Sequence, residues 1–169
     1  MKHLSKDQVR KVVDAAKNDR VRLFLTVIYE HGLRVSEGLA LTPSSLQRGY
    51  LVLKPKKDGE PAVERMRSET AELWGKITAT LLPGTRIFPF CRQWASDLFQ
   101  EAAARAGVEL APKQGIHTLR HSIAHHLLDS GASLPVVQKS LRHRSLGSTG
   151  VYLQPDASDV DRWKAVVLQ

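Results

Sequence analysis

The residues in this chain best suited to chemistry are a histidine and an arginine near the start of the stretch GIHTLRHSIAHHLLDSG, residues 115 to 131. Apolar residues at helical spacing predict a helix that Thr118 caps and Gly131 ends. His117 and Arg120 lie three positions apart, so one turn places an imidazole and a guanidinium on the same side. Such a pair suits a phosphodiester, because arginine offers a fixed fork of donors and histidine exchanges a proton near neutral pH.

Two other interpretations of this stretch stay open from its residues alone. Histidine and arginine on a helix often form only a solvated polar face. His117, His121 and His125 are spaced four apart and would line one stripe, as metal ligands can. A zinc site without a nearby cysteine or well-placed carboxylate would be unusual. We therefore predict no metal and no cofactor.

Composition indicates the class of partner. The chain has 169 residues, with 25 Lys and Arg against 17 Asp and Glu, and its net charge of +8 favours nucleic acid, although a basic protein without such a partner can share this balance. Cys91 is the single cysteine, which excludes an internal disulfide and indicates a reducing compartment. No apolar run approaches membrane-spanning length and no signal-peptide core is present, so we expect a cytoplasmic protein without a membrane partner.

Local patterns predict the elements that must position these residues. Ser5 and Gln8 form a capping-box pattern for a first helix to about residue 17, and Asp19 is predicted to cap a second helix that Gly32 ends. A short third helix over 36–41 stops before a proline. Arg34 would then lie at a tight corner between two helices, where its side chain can be held rigidly.

A hairpin and more helices complete the predicted fold. Strands over 50–53 and 62–66 flank a turn that carries Lys54, Lys56 and Lys57, which could equally be ordinary solvated loop lysines. Further helices are predicted over 68–80, 92–106, 133–141 and 156–168. We expect one domain over residues 1–169 that is mainly α with a small antiparallel β-sheet (α+β).

Four more sequence pieces join the H-x-L-R-H helix in a family pattern. They are YEHGLRVSEGLAL around Arg34, KPKKDGE in the hairpin, LRHRSLGS around His143, and GVYLQ around Tyr152, nine residues further on. In this order, over nearly the whole chain, they resemble the catalytic domain of the tyrosine recombinases, the phage-integrase family of site-specific DNA recombinases.

The resemblance implies phosphoryl transfer without metal or ATP. Tyr152 would attack a DNA phosphate, giving a 3′-phosphotyrosyl link and a free 5′-hydroxyl, and the 5′-hydroxyl of a second strand would reverse the step. The covalent link conserves the energy of the phosphodiester. Arg34 and Arg120 would clamp the non-bridging oxygens, and His143 would donate a further hydrogen bond. His117 would assist the tyrosine proton or orient the phosphate.

The resemblance also implies an acid, supporting residues and DNA contacts. Lys57 would protonate the leaving 5′-oxygen, with Lys56 as the alternative. Glu37 would buttress the site and His121 would support Arg120. The residues expected to contact DNA are Lys54, Lys56, Arg142 and Arg144.

Two departures from the family pattern affect these expectations. Family members usually carry a separate N-terminal DNA-binding domain, whereas the resemblance here begins near Met1, so the chain is either a piece of a longer protein or a small single-domain member. Without that domain we expect weaker and strongly salt-dependent DNA affinity. The family usually has glycine before the histidine that matches His143. Arg142 stands there instead, as an extra DNA contact or a small distortion of the site.

The expected partner is double-stranded DNA, with the protein a monomer when free and a tetramer on DNA. Accessory DNA-binding proteins are candidate further partners. A bacterial or phage-encoded, nucleoid-associated protein fits this role. An apolar stripe at the C-terminus would dock on a neighbouring protomer or pack on its own core; it comprises Val160, Trp163, Val166 and Val167.

Three other functions compete with recombination. They are strand relaxation of the type IB topoisomerase kind, DNA binding by a catalytically silent protein of the same fold, and zinc binding by the three histidines. The presence of every expected catalytic residue type argues against the silent protein.

Overall fold

The computed structural model describes residues 3–54 and 62–142. Within them the elements are helices around a three-stranded sheet, which confirms the predicted fold class. In chain order they are α1 Lys6–Asp14, α2 Asp19–Glu30, α3 Val35–Leu39, a 3₁₀ turn Pro43–Ser45, β1 Leu46–Gln47, β2 Tyr50–Leu53, β3 Ala62–Arg65, α4 Ser68–Thr78, α5 Arg92–Arg105, α6 His117–Asp129 and α7 Leu134–Ser140. None of the helices in the described ranges is long and apolar enough to cross a membrane.

The first two helices begin at side-chain caps. Ser5 Oγ accepts from the backbone N–H of Gln8 at 3.1 Å and Gln8 Oε1 accepts from that of Ser5 at 2.9 Å, so the predicted capping box is confirmed. The cap predicted for α2 is wrong by one residue. Asn18 has an extended backbone and accepts from the N–H of Val21 at 3.0 Å, while Asp19 already lies in the first helical turn.

Helix α2 is the centre of the hydrophobic core and packs against α1, α3, α4 and α6. Its Phe24 ring lies 4.9 Å from the ring of Phe88 and 5.5 Å from that of Phe90. Helix α3 approaches so closely that a Cβ on Gly38 would lie 2.7 Å from Ile28 Cδ1. The corner between α2 and α3 is therefore fixed by direct packing.

The sheet is antiparallel with strand order β1-β2-β3. Leu51 pairs with Glu64 and Leu53 with Ala62, which confirms the predicted hairpin strands. Because directly opposed residues share a face of the sheet, Glu64 lies on the same side as the fully buried Leu51. The sequence patterns missed β1 because it has only two residues.

The predicted cap of α6 is also wrong. Thr118 lies within the first turn and is fully buried. The chain is already helical at Ile116, and the N–H of Thr118 is bonded to the carbonyl of Gly115 at 2.9 Å, so the turn needs no side-chain cap. Gly131, with φ +86°, follows the end of the helix in the predicted left-handed conformation.

Side chains of α6 hold the segment that precedes α1. The N–H of Leu4 donates to Ser122 Oγ at 3.0 Å, and His126 Nε2 donates to the carbonyl of Leu4 at 2.9 Å. The other ring nitrogen of His126 then accepts from the Tyr29 hydroxyl at 2.7 Å. Both backbone groups of Leu4 are thus satisfied by the helix that carries His117 and Arg120.

Stability should fall in mild acid because of the α6 histidines. Burial lowers the pKa of His121 from 6.5 to about 4, and it also lowers the pKa of His125 and His126. The folded protein therefore binds fewer protons than the unfolded chain below the unfolded pKa of 6.5, and stability present above that pH is lost as pH falls toward 4. The urea concentration at the unfolding midpoint should fall from pH 7.5 to 6.0 to 5.0, and it should fall less in His121→Gln than in wild type. A midpoint that does not change with pH would contradict this prediction.

Gly32 should tolerate no side chain. Its φ is +51°, and a Cβ would lie 2.6 Å from Leu141 Cδ2. We expect Gly32→Ala to destabilise the fold by about 1–3 kcal/mol in urea unfolding. Gly75→Ala is the matched control, because Gly75 is inside α4 with nothing within 4 Å of its Cβ position. That variant should be stabilised by up to about 1 kcal/mol. Equal changes in unfolding free energy for Gly32→Ala and Gly75→Ala would show that the contact with Leu141 and the positive φ of Gly32 do not limit the side chain there.

Candidate active site

Arg34 lies at the predicted corner between α2 and α3, where it is the residue before the first turn of α3. Its Nη1 donates to Glu37 Oε1 at 2.8 Å, and its backbone N–H donates to Glu37 Oε2 at 2.8 Å. Its side chain is 41% exposed, so the guanidinium is oriented from within and still reaches solvent. This combination suits a residue that binds a ligand at the surface.

Arg120 reaches the same corner from α6, although the two arginines are far apart in sequence. It is buried, and its Nη1 donates to the carbonyl of Gly32 while its Nη2 donates to that of Leu141 at 2.6 Å. Its Nη1 also lies 3.9 Å from Glu37 Oε2. The two arginines predicted to clamp a phosphate therefore share one carboxylate.

Glu37 is the counter-charge of this cluster. Burial alone would raise its pKa, but hydrogen bonds from Arg34 and the charges of Arg142 and Arg34 outweigh burial and hold the pKa below 4.5. Arg142 Nη2 lies 3.3 Å from Glu37 Oε2. At neutral pH the group is an ionised carboxylate that accepts from several cations, which is the geometry of a supporting residue.

The two predicted histidines of α6 flank Arg120 along the helix. The rings of His117 and His121 meet edge to face with centroids 5.6 Å apart. His117 is exposed. Burial, followed by the charges of His117 and Arg120, lowers the pKa of His121 to about 4, so this imidazole is neutral at pH 7. Because the ring next to Arg120 is neutral, it does not repel the guanidinium groups of Arg34, Arg120 and Arg142.

The structure groups part of the predicted site and leaves part outside its described residues. Arg34, Glu37, Arg120 and Arg142 form one cluster, and Lys54 is exposed just after β2. The predicted residues outside the described ranges are Lys56, Lys57, His143, Arg144 and Tyr152. Among residues 3–54 and 62–142, no group of three or more His, Cys, Asp or Glu is arranged to hold a metal ion.

Two residues linked to this cluster through Arg142 were not predicted from the sequence. His31 Nδ1 donates to Glu64 Oε2 at 3.0 Å, and Arg142 Nη1 donates to Glu64 Oε1 at 2.6 Å. The strand alternation contained a usable signal, because it places a charged residue, Glu64, on the inward face of the hairpin opposite Leu51. Nothing local indicated that His31 would be its partner.

Comparison with known proteins agrees with the pattern of residues. Residues 2–159 match the model of the Phage integrase family. Tyrosine recombinase XerD of Proteus mirabilis is 35% identical over 170 residues, covering 89% of this chain and 54% of the relative. Tyrosine recombinase XerC of Mycobacterium sp. (strain KMS) is 35% identical over 176 residues, covering 88% of this chain and 57% of the relative. The chain thus spans slightly more than half the length of these relatives.

Solved structures share the fold. XerA recombinase superposes with a TM-score of 0.81 at 20% identity, covering 98% of this chain and 63% of that one. XerH site-specific recombinase bound to difH substrate superposes with a TM-score of 0.75 at 24% identity, covering 97% of this chain and 54% of that one. The catalytic domain of bacteriophage HP1 integrase superposes with a TM-score of 0.72 at 22% identity, covering 98% of this chain and 94% of that one. The matched family model and the curated relatives place this chain in the phage integrase family, with the fold of a tyrosine recombinase catalytic domain.

Proposed function

We propose that the protein is a site-specific DNA recombinase that cleaves and rejoins strands through a 3′-phosphotyrosyl intermediate without metal or ATP. The observation that supports this most is the convergence of Arg34 and Arg120 on Glu37, beside the turn of α6 that bears His117. Relatives named as tyrosine recombinases support the same activity. The fold is shared with a site-specific recombinase solved bound to difH substrate.

The cluster supplies the positive charge that the reaction requires. Three guanidinium groups face two carboxylates, Glu37 and Glu64, so a positive surplus remains for a phosphate. The transition state concentrates negative charge on the non-bridging oxygens, and fixed cations stabilise it without reorganisation. Two backbone carbonyls hold the Arg120 guanidinium before DNA arrives, so part of the ordering entropy is lost during folding instead of during reaction.

The proposed chemical step is an in-line displacement at phosphorus. The Tyr152 oxygen forms the new P–O bond as the bond to the 5′-oxygen breaks. Lys57, or Lys56, gives a proton to that leaving oxygen, and the tyrosine proton leaves with the help of His117. His143 donates to a non-bridging oxygen. Rejoining is the same sequence in reverse, with the 5′-hydroxyl of another strand as the nucleophile.

Double-stranded DNA is the proposed partner. The net charge of +8 favours a polyanion, and Lys54, Lys56 and Arg144 would contact backbone phosphates. We propose a monomer in solution and a tetramer on DNA, with accessory DNA-binding proteins adding contacts. Affinity should fall steeply with salt, because every neutralised phosphate releases counterions.

Covalent capture tests the reaction. Wild type and Tyr152→Phe are incubated with labelled duplex DNA from around the encoding locus at low salt with chelator, then separated in denaturing detergent. We expect a labelled band at protein mass with wild type and none with Tyr152→Phe. DNA binding in a gel shift without any covalent band would instead support a catalytically silent binding protein. Resealing of the same strand alone, seen as plasmid relaxation, would indicate the topoisomerase activity.

Arg34 should matter for the reaction rate far more than for folding. Removing one preorganised donor from a charged transition state costs roughly 100- to 1,000-fold in rate, so Arg34→Ala should slow covalent capture by about that factor at saturating DNA. Arg10→Ala is the matched control, since Arg10 is exposed and pairs with Asp7 on α1. Equal rates for Arg34→Ala and wild type would remove Arg34 from the proposed clamp.

A further inference from the structure

Arg142 adopts a backbone conformation that its residue type disfavours. Its φ is +53°, in the left-handed region that glycine enters readily and that other residues enter at a cost. It follows Leu141, the C-cap residue of α7, at the position where the sequence pattern of the recombinases usually has glycine. Contacts of the arginine side chain must therefore offset the strain that its backbone introduces.

Those contacts are directed into the protein. The side chain is only 16% exposed. Its terminal nitrogens donate to Glu64 Oε1 at 2.6 Å, Glu37 Oε2 at 3.3 Å, the Ser140 carbonyl at 3.0 Å, the His31 carbonyl at 3.0 and 3.1 Å and the Gly32 carbonyl at 3.1 Å. One guanidinium thus joins β3 to α3 and the turn after α2, which are neighbours in sequence but lie more than 20 residues before β3.

The charges make this junction hard to replace. Glu64 accepts from Arg142 on one oxygen and from His31 Nδ1 on the other, and its side chain is 25% exposed. Glu37 is 17% exposed and uses the same guanidinium. Removing the cation would leave two partly buried carboxylates without their shared partner, which loosens the contact between the segments that carry them. Lysine cannot fill the position equally, because it lacks the planar fork.

We propose that Arg142 is a positioning residue that fixes strand β3 to the corner holding Arg34 and Glu37. Strand β3 pairs with β2 in the hairpin, so this guanidinium sets the position of the two hairpin strands relative to Arg34, Glu37 and Arg120. The assignment takes the place of the DNA contact expected for Arg142 from the sequence. Its catalytic consequence rests on the proposed recombinase function, whereas the structural link does not.

Amide hydrogen exchange tests the link without any DNA. Arg142→Gly removes the side chain and the left-handed strain together, Glu64→Gln removes the partner charge, and Arg142→Lys keeps only the charge. The control Arg86→Gln removes one exposed positive charge from a loop. We expect residues 50–53 and 62–65 to exchange about 10-fold faster in Arg142→Gly and Glu64→Gln, less so in Arg142→Lys, and unchanged in the control. Wild-type protection in Arg142→Gly would overturn the proposal.

The rate of covalent capture tests the consequence. At saturating DNA, Arg142→Gly and Glu64→Gln should each slow adduct formation about 10-fold, and the double variant no further, while the half-saturating DNA concentration and the salt dependence stay as in wild type. The positioning role would be overturned if Arg142→Gly bound DNA more weakly but reacted at the wild-type rate. A slope of log affinity against log salt concentration that is smaller by about 1 would then identify Arg142 as a DNA contact. If wild type gives no adduct, the proposed function fails, and the exchange experiment alone decides the link.

Discussion

The structure depends on one partly buried carboxylate that must stay ionised. Glu37 accepts from the backbone and side chain of Arg34, and it lies within ion-pair distance of Arg120 and Arg142. Three guanidinium groups converging in a partly buried space would repel one another strongly without a counter-charge. The carboxylate lets arginines from separate elements gather at one place while a net positive charge remains.

The end of α2 supplies the other half of this arrangement. Carbonyls beyond a helix C-terminus carry partial negative charge and need donors. Here the His31 and Gly32 carbonyls accept from Arg142, and the Gly32 carbonyl also accepts from Arg120. Gly32 permits this because its positive φ turns the chain and its missing side chain admits Leu141. The same groups therefore end the helix and orient the cations of the candidate site.

Local sequence signals were sufficient for most elements and insufficient for caps and small strands. The Ser5 box and the glycine after α6 act through neighbouring residues, so their patterns predicted them correctly. The cap predicted at Thr118 failed because the helical turn already begins before that residue and its side chain is buried. Several helices end a few residues earlier than predicted, since helix ends depend on tertiary contacts that periodicity does not encode.

The sequence by itself determined the family, the helical fold with its small sheet, and the types of residue available for the proposed phosphoryl transfer. Those features follow from motif order, hydrophobic period and residue chemistry, which can all be read along the chain without knowing which elements pack together. Only the tertiary structure decided that Arg34 and Arg120 share Glu37, that His31 pairs with Glu64, and that Arg142 turns inward. Such contacts join residues from separate elements, and their geometry depends on how α2, α6 and the sheet pack, which no spacing along the chain specifies.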